Sequence, residues 1–232
     1  MDGGPGGTRR RHGAISGIKT HRCRSAHVTR TTVMIITNLE QLAEAQEKRL
    51  VLYGGSFNPP HISHVLFSVM LHCLMPQARI LVAPTWRHAF DKTLLPFEWR
   101  LRMLHAVLDG FPNVEISAIE RELQQPKSYT VNVVKALQRK WPDYRICVAV
   151  GADIVPTLPQ WYCIDELMSL ADFVVFPRQG FEAEALALAP LPQISSTDIR
   201  LALQRRGPED IVFLRTYLPI KVLELYDAFT AS

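Results

Sequence analysis

His61 and His64 stand three residues apart at the end of the segment Leu50-Val51-Leu52-Tyr53-Gly54-Gly55-Ser56-Phe57-Asn58-Pro59-Pro60-His61-Ile62-Ser63-His64. A short apolar run ends in two glycines, passes through a rigid Asn-Pro-Pro turn and enters an amphipathic pattern. This is the grammar of a strand, a tight loop and a helix N-terminus. Free backbone N–H groups and the positive end of the helix dipole converge there and suit phosphate. Imidazoles at such a junction can donate to non-bridging phosphate oxygens and stabilise charge on a group in transfer. Gly54 and Gly55 let backbone approach a ligand closely. A zinc reading would need further ligands at matching spacing, and none is evident. The segment is neither a GxxxxGK[ST] loop nor a GxGxxG fingerprint.

A second segment, Ile194-Ser195-Ser196-Thr197-Asp198-Ile199-Arg200, sets three hydroxyl residues ahead of a helix with an arginine in its first turn. The hydroxyls can simply cap free N–H groups. With Arg200 the same arrangement can hold a polyphosphate. Taken with the first segment, the second reads as another grip on phosphate.

The elements that must position these residues alternate along the chain. Apolar runs predict strands at Leu50–Tyr53, Ala78–Ala83, Val114–Ala118, Arg145–Val150 and Asp172–Phe176. Helical spacing predicts helices at Asn38–Lys48, His64–Leu74, Phe97–Leu108, Thr130 to about Lys140 with Thr130 as cap, Thr197–Arg206 and Ile220–Phe229. Phe181–Leu191 fits a helix or a loop. Short apolar strands between helices specify an α/β fold with a Rossmann-like, doubly wound, mostly parallel sheet. Ligands in such folds sit beyond the carboxyl ends of the strands. The polar loops there include Pro84–Lys92, Glu120–Thr130 and Gly151–Trp161. Arg100 and Arg102 read as surface decoration of a helix.

The chain has 232 residues, 47% of them hydrophobic and 21% charged. Its net charge of +4 is unevenly spread. Residues 1–33 carry seven basic residues against one acidic, so the remainder is net negative. The basic, glycine-rich stretch 1–33 reads as a disordered extension, and residues 34–232 as a single domain. The extension fits an arm for an anionic surface or nucleic acid, an Arg-rich transit segment, or an inert extension ahead of Met34. Cys23, Cys73, Cys147 and Cys163 form no CxxC pair and read as incidental thiols of a reduced, cytoplasmic protein. No apolar run approaches the roughly 20 residues of a membrane span.

Together these segments resemble a known family. GGSFNPPHISH is similar to the GG-[TS]-F-[DN]-P-x-H-x-x-H signature of the nucleotidylyltransferase superfamily, and ISSTDIR to its ISST-x-IR signature. Ser128-Tyr129-Thr130 resembles the SYT motif, Gly151-Ala152-Asp153 with Trp161 the G-x-D…W motif, and Asp172–Gly180 the strand ending in Arg-Pro-Gly. The resemblance runs from Leu50 to Phe229 and is to the nicotinate-nucleotide adenylyltransferases. It implies transfer of AMP from ATP to nicotinate mononucleotide, giving deamido-NAD and pyrophosphate without a covalent enzyme intermediate. Mg²⁺ would be bound through the ATP phosphates. By match, His61, His64, Lys92 and Arg200 are catalytic. Gly54, Gly55, Ser56, Phe57, Gly151, Asp153, Ser195, Ser196 and Thr197 join the histidines and Arg200 in binding ATP. Ser128, Tyr129, Thr130, Trp161 and Tyr162 receive the acceptor.

Ser63 stands where the signature has glycine, Asn58 where it commonly has aspartate, and Gln179 where Arg-Pro-Gly has proline. Competing readings keep the chemistry and change the acceptor to nicotinamide mononucleotide or phosphopantetheine, or make the protein a non-catalytic nucleotide-binding regulator. Neither a membrane nor nucleic acid is an expected partner, and a homo-oligomer is compatible with the sequence.

Overall fold

The computed structural model describes residues 35–36, 38–39, 42, 47–87, 93–181 and 185–231. The extension 1–33, Lys92 and most of the expected Asn38–Lys48 helix lie outside these residues. Leu39 and Leu42 within that span are helical.

Six strands form one sheet: β1 (Ile35–Ile36), β2 (Arg49–Gly55), β3 (Arg79–Pro84), β4 (Val114–Ile116), β5 (Arg145–Gly151) and β6 (Asp172–Phe176). Their order is β1-β6-β5-β2-β3-β4, and every pairing is parallel. From β2 the chain winds outward through β3 and β4. It then returns to the other side of β2 for β5 and β6. The direction of winding therefore reverses between β2 and β5, which opens a crevice at their carboxyl ends.

Both faces of the sheet are covered, as the apolar strands require. On one face Leu50, Leu52, Val148 and Phe173 pack with Val134 and Leu137 of α4 (Thr130–Lys140). On the other, Val51, Tyr53, Val82 and Phe176 pack with Phe67 and Leu71 of α1 (Ile62–Leu74) and Leu104 of α2 (Phe97–Leu108). The short α3 (Ile119–Glu122) precedes α4; a 3₁₀ helix (Ala152–Gln160) and α5 (Ile164–Leu170) link β5 to β6. The chain closes with α6 (Ser196–Arg205), α7 (Pro208–Tyr217) and α8 (Ile220–Thr230). Ile199, Leu203, Leu214 and Val222 from these three helices join Met103 of α2 in a third apolar cluster.

The fold matches the expected class, and strand boundaries shift by one or two residues. Several details differ. Tyr129, not Thr130, occupies the N-cap of α4. The expected polar loop 151–161 is a 3₁₀ helix, broken from α-geometry by Pro156 and Pro159. The described part of 181–191 is irregular rather than helical. Helix α7 was not anticipated, although Pro208 in its first turn with Glu209 and Asp210 behind it is a recognisable start signal. Cys73 and Cys147 are free thiols. Among the described residues, no helix is long and apolar enough to cross a membrane.

Candidate active site

The loop from β2 to α1 is built tightly. Asn58-Pro59 is a cis peptide, and Phe57 has φ 45°, in the left-handed region. That conformation is strained for a residue with a side chain and is held here by packing. The Phe57 ring meets Tyr53 edge-on at 5.4 Å and His64 at 4.9 Å. Gly55 lies directly beneath it, since a Cβ there would come within 3.1 Å of the ring.

His61 is the N-cap residue of α1, and its ring lies 3.8 Å from that of His64. The His61 backbone N–H donates to His64 Nδ1 at 3.1 Å. His64 Nδ1 is therefore an acceptor, and the proton of the neutral ring sits on Nε2. His61 is 2% exposed, and its Nδ1 has no hydrogen-bond partner. Burial, followed by the nearby Arg178 cation, lowers the His61 pKa to about 3. Burial, His61 and Arg178 hold His64 well below its ordinary value. Both rings are neutral at physiological pH, and each keeps one N–H to give.

The stretch from Pro192 to Arg200 is tied to this loop, 129 to 142 residues earlier in the chain. Ser63 Oγ donates to the Pro192 carbonyl at 3.0 Å, and Ser196 Oγ to the Pro59 carbonyl at 3.0 Å. Arg200 donates to the Asn58 carbonyl at 2.8 Å, the Ser196 carbonyl at 3.1 Å and Thr197 Oγ1 at 3.1 Å. Arg200 is thus a strut between the two segments as well as a cation. Ser195 caps α6 through a reciprocal pair with Asp198. Asn58 braces the next loop, accepting from Leu95 N–H at 2.8 Å and donating to the Thr93 carbonyl.

Beside the histidines an open cleft of about 470 Å³ is lined by Asp153, Arg178, Gln179, Phe181, Gln193, Ile194, Ser195 and Asp198. Asp153 Oδ1 faces Arg178 Nε at 3.5 Å. Gly151, at the end of β5, makes room for this pair: a Cβ there would lie 2.4 Å from Asp153 Oδ1. Among the described residues, no group of three or more His, Cys, Asp or Glu is arranged to hold a metal.

The expected acceptor residues form a separate flank. Tyr129 stacks on the exposed Tyr162 with ring centroids 4.3 Å apart. Trp161 terminates the 3₁₀ helix and is half-buried against the core. Ser128 exchanges hydrogen bonds with the backbone of Arg87: Ser128 N–H to the carbonyl at 2.8 Å, and Arg87 N–H to Ser128 Oγ at 3.1 Å. Thr130 opens α4.

Two residues near the site escaped or were misjudged by sequence reasoning. Arg100, expected at the surface, is 1% exposed and donates to the Ser56 carbonyl at 2.9 Å and the Leu95 carbonyl at 3.0 Å. Burial lowers its pKa to about 10, so it remains a cation. Glu120 accepts from Trp86 N–H at 3.1 Å and was not singled out. Arg178, which the sequence allows either to cap the strand end or to meet phosphate, lines the cleft beside Asp153, and its charge helps to lower both histidine pKa values.

The fold thus brings paired histidines at the first helix and an arginine strut from the last third of the chain to the crevice between β2 and β5. Residues 52–202 match the cytidylyltransferase-like family model. A relative from Anaeromyxobacter sp. (strain K), named "Probable nicotinate-nucleotide adenylyltransferase", is 36% identical over 178 residues, covering 76% of this chain and 92% of that protein. The nicotinate-nucleotide adenylyltransferase of Bacillus subtilis (strain 168) is 29% identical over 170 residues, covering 70% and 89%. The chain belongs to the cytidylyltransferase-like family and, within it, to the nicotinate-nucleotide adenylyltransferases. The same fold occurs in the nicotinic acid mononucleotide adenylyltransferase of Plasmodium falciparum complexed with NaAD, with a TM-score of 0.64, 18% identity, and coverage of 78% of this chain and 96% of that one.

Proposed function

We propose that this protein is a nicotinate-nucleotide adenylyltransferase, moving AMP from ATP to nicotinate mononucleotide to form deamido-NAD and pyrophosphate in NAD biosynthesis. A phosphate oxygen of the mononucleotide attacks the α-phosphorus in line. The bond from that phosphorus to the bridging oxygen breaks, and pyrophosphate leaves. No protein nucleophile is required, so the work is positioning and charge stabilisation.

The observation that carries this reading is the pair of neutral, desolvated imidazoles beside a strutted arginine. His64, with Nδ1 engaged, offers Nε2–H to the α-phosphate, and His61 offers the second N–H. Donors fixed before the reaction need no reorganisation as charge develops. Arg200 keeps unspent N–H groups and full charge for the leaving pyrophosphate, while Ser196 and Thr197 fix its direction. Gly54, Gly55, Ser56 and Phe57 frame the phosphates. Gly151 and Asp153 face the adenosine side of the cleft. Ser128, Tyr129, Thr130, Trp161 and Tyr162 form the acceptor flank, and Lys92 would add charge from the loop that follows β3.

Magnesium would travel on the ATP phosphates and neutralise their charge. The donor set supports that arrangement. The cleft's two carboxylates, Asp153 and Asp198, are engaged by Arg178 and Ser195 rather than presented together. ATP and a mononucleotide are the expected partners, and cytoplasm the expected setting.

The test is pyrophosphate release from the purified protein with ATP, Mg²⁺ and each of nicotinate mononucleotide, nicotinamide mononucleotide and phosphopantetheine. Release with the nicotinate compound at the highest kcat/KM is expected. A clear preference for another acceptor would overturn the substrate assignment, and no release with any would overturn the enzyme.

A further inference from the structure

Between the two flanks of the site lies a connected set of polar contacts that the chemistry above does not use. Glu120, on the short α3, reaches out of its own element in two directions. Its Oε2 accepts from Trp86 N–H at 3.1 Å, and its carboxylate is hydrogen-bonded by the Ser128 side chain. Ser128 in turn accepts from Arg87 N–H and donates its own N–H to the Arg87 carbonyl. The carboxylate therefore sits where three segments meet: the start of the loop after β3, α3, and the entry to α4. Without it, Trp86 N–H and the Ser128 hydroxyl proton would lose their acceptor in a half-buried place. A cation stands behind it. Arg100, held by Ser56 and Leu95, is the charge whose field Glu120 feels. Its guanidinium also stacks over Phe97, whose ring meets Trp86 edge-on at 5.1 Å.

We propose that Glu120 is the positioning residue of the acceptor side. It fixes Ser128-Tyr129-Thr130 against Trp86-Arg87, and so sets how tightly the mononucleotide is bound without touching either substrate. The proposal rests on the assignment of Ser128–Thr130 to the acceptor. Its physical content is directional. The donor loop is fixed by other bonds: those of Ser63, Ser196 and Arg200, and those of Arg100, which is anchored by the Ser56 and Leu95 carbonyls rather than by the Glu120 carboxylate. Loosening Glu120 should therefore be felt on one substrate and not on the other.

Glu120→Gln keeps the shape and removes the charged acceptor. It should raise KM for the mononucleotide about tenfold, the scale of one lost hydrogen bond to a charged group, while KM for ATP stays within about twofold. Because Glu120 acts through Ser128, Glu120→Gln and Ser128→Ala should be non-additive in the double variant. Glu120→Asp, with the charge kept on a shorter arm, should recover part of the loss. The acceptor used is whichever mononucleotide the wild-type protein turns over fastest, so an error in acceptor identity shows in the wild type and leaves the Glu120 comparison intact. Equal increases in both KM values, or full additivity with Ser128→Ala, would show a merely structural carboxylate and overturn the proposal. An unchanged acceptor KM in a folded Glu120→Gln would do the same.

Discussion

At the amino end of the sheet the Asp172 carboxylate, 2% exposed, is gripped by Arg145 through Nε and through Nη2 at 2.8 Å, with Glu47 3.6 Å from the same guanidinium. At the carboxyl end His61 is equally buried, yet its Nδ1 has no partner and its charge is suppressed rather than matched. The first region is a closed ion pair that joins β5 to β6. The second holds donor capacity in reserve inside a crevice. Buried polar groups cost stability unless they are bonded, so the two ends differ in what they are for. One fastens strands, and the other, on the function proposed above, spends stability on a site that a ligand completes.

That contrast can be broken from either side. The largest effect is expected from Arg145→Met, which leaves the Asp172 carboxylate buried and uncompensated. A loss of about 3 kcal/mol in urea unfolding is expected, with turnover per folded molecule unchanged. A comparable fall in kcat would mean that the pair also shapes the site. His61→Ala should do the reverse, lowering kcat about 10²-fold, the scale of one lost preorganised donor, with little change in unfolding free energy. The same substitution bears on pH. The folded pKa of His61 is depressed to about 3 from an ordinary 6.5, so the unfolded chain takes up the proton first. Its contribution is present above pH 6.5 and is lost as pH falls from there toward 3. Urea midpoints should drop more steeply between pH 7 and 5 in the wild type than in His61→Ala, and parallel curves would place the acid sensitivity elsewhere. Gly151→Ala should swing Asp153 away from Arg178 and raise KM for ATP about tenfold, the scale of one charge-assisted contact. An unaltered KM would take Asp153 out of ATP binding. Ser63→Gly should be mildest, costing about 1–2 kcal/mol of stability through the lost bond to Pro192 and a freer backbone.

Ser63 and Asn58 show where sequence stops being legible. In a signature each looks like a deviation that weakens a phosphate loop. In the fold each is a tie: Ser63 to Pro192, Asn58 to Thr93 and Leu95. The partners are backbone atoms 35 to 129 residues away, and a backbone carbonyl leaves no mark in a residue pattern. Arg100 and Arg102 pose the same difficulty. They are two positions apart on one helix, yet one is buried against the glycine loop and the other lies exposed over Trp99. The strands were readable because five or six consecutive apolar residues can only be buried on both faces. The two-residue β1 carries too little pattern to be seen, and it finds its place only because β6 offers a free edge. That the histidine and Ile194–Arg200 segments belong together was readable because their residue types and spacing point to one ligand chemistry, and the structure ties them to each other.

Helix α8 lies far along the chain from the glycine loop, yet it leans on both helices whose arginines hold that loop. Its Phe229 packs on Trp99, next to Arg100 on α2, and its Asp227 pairs with Arg206 at the end of the helix that carries Arg200. In a genetic screen, a stop codon just ahead of Ile220 would therefore score with the active-site alleles, although it removes no residue that touches a nucleotide.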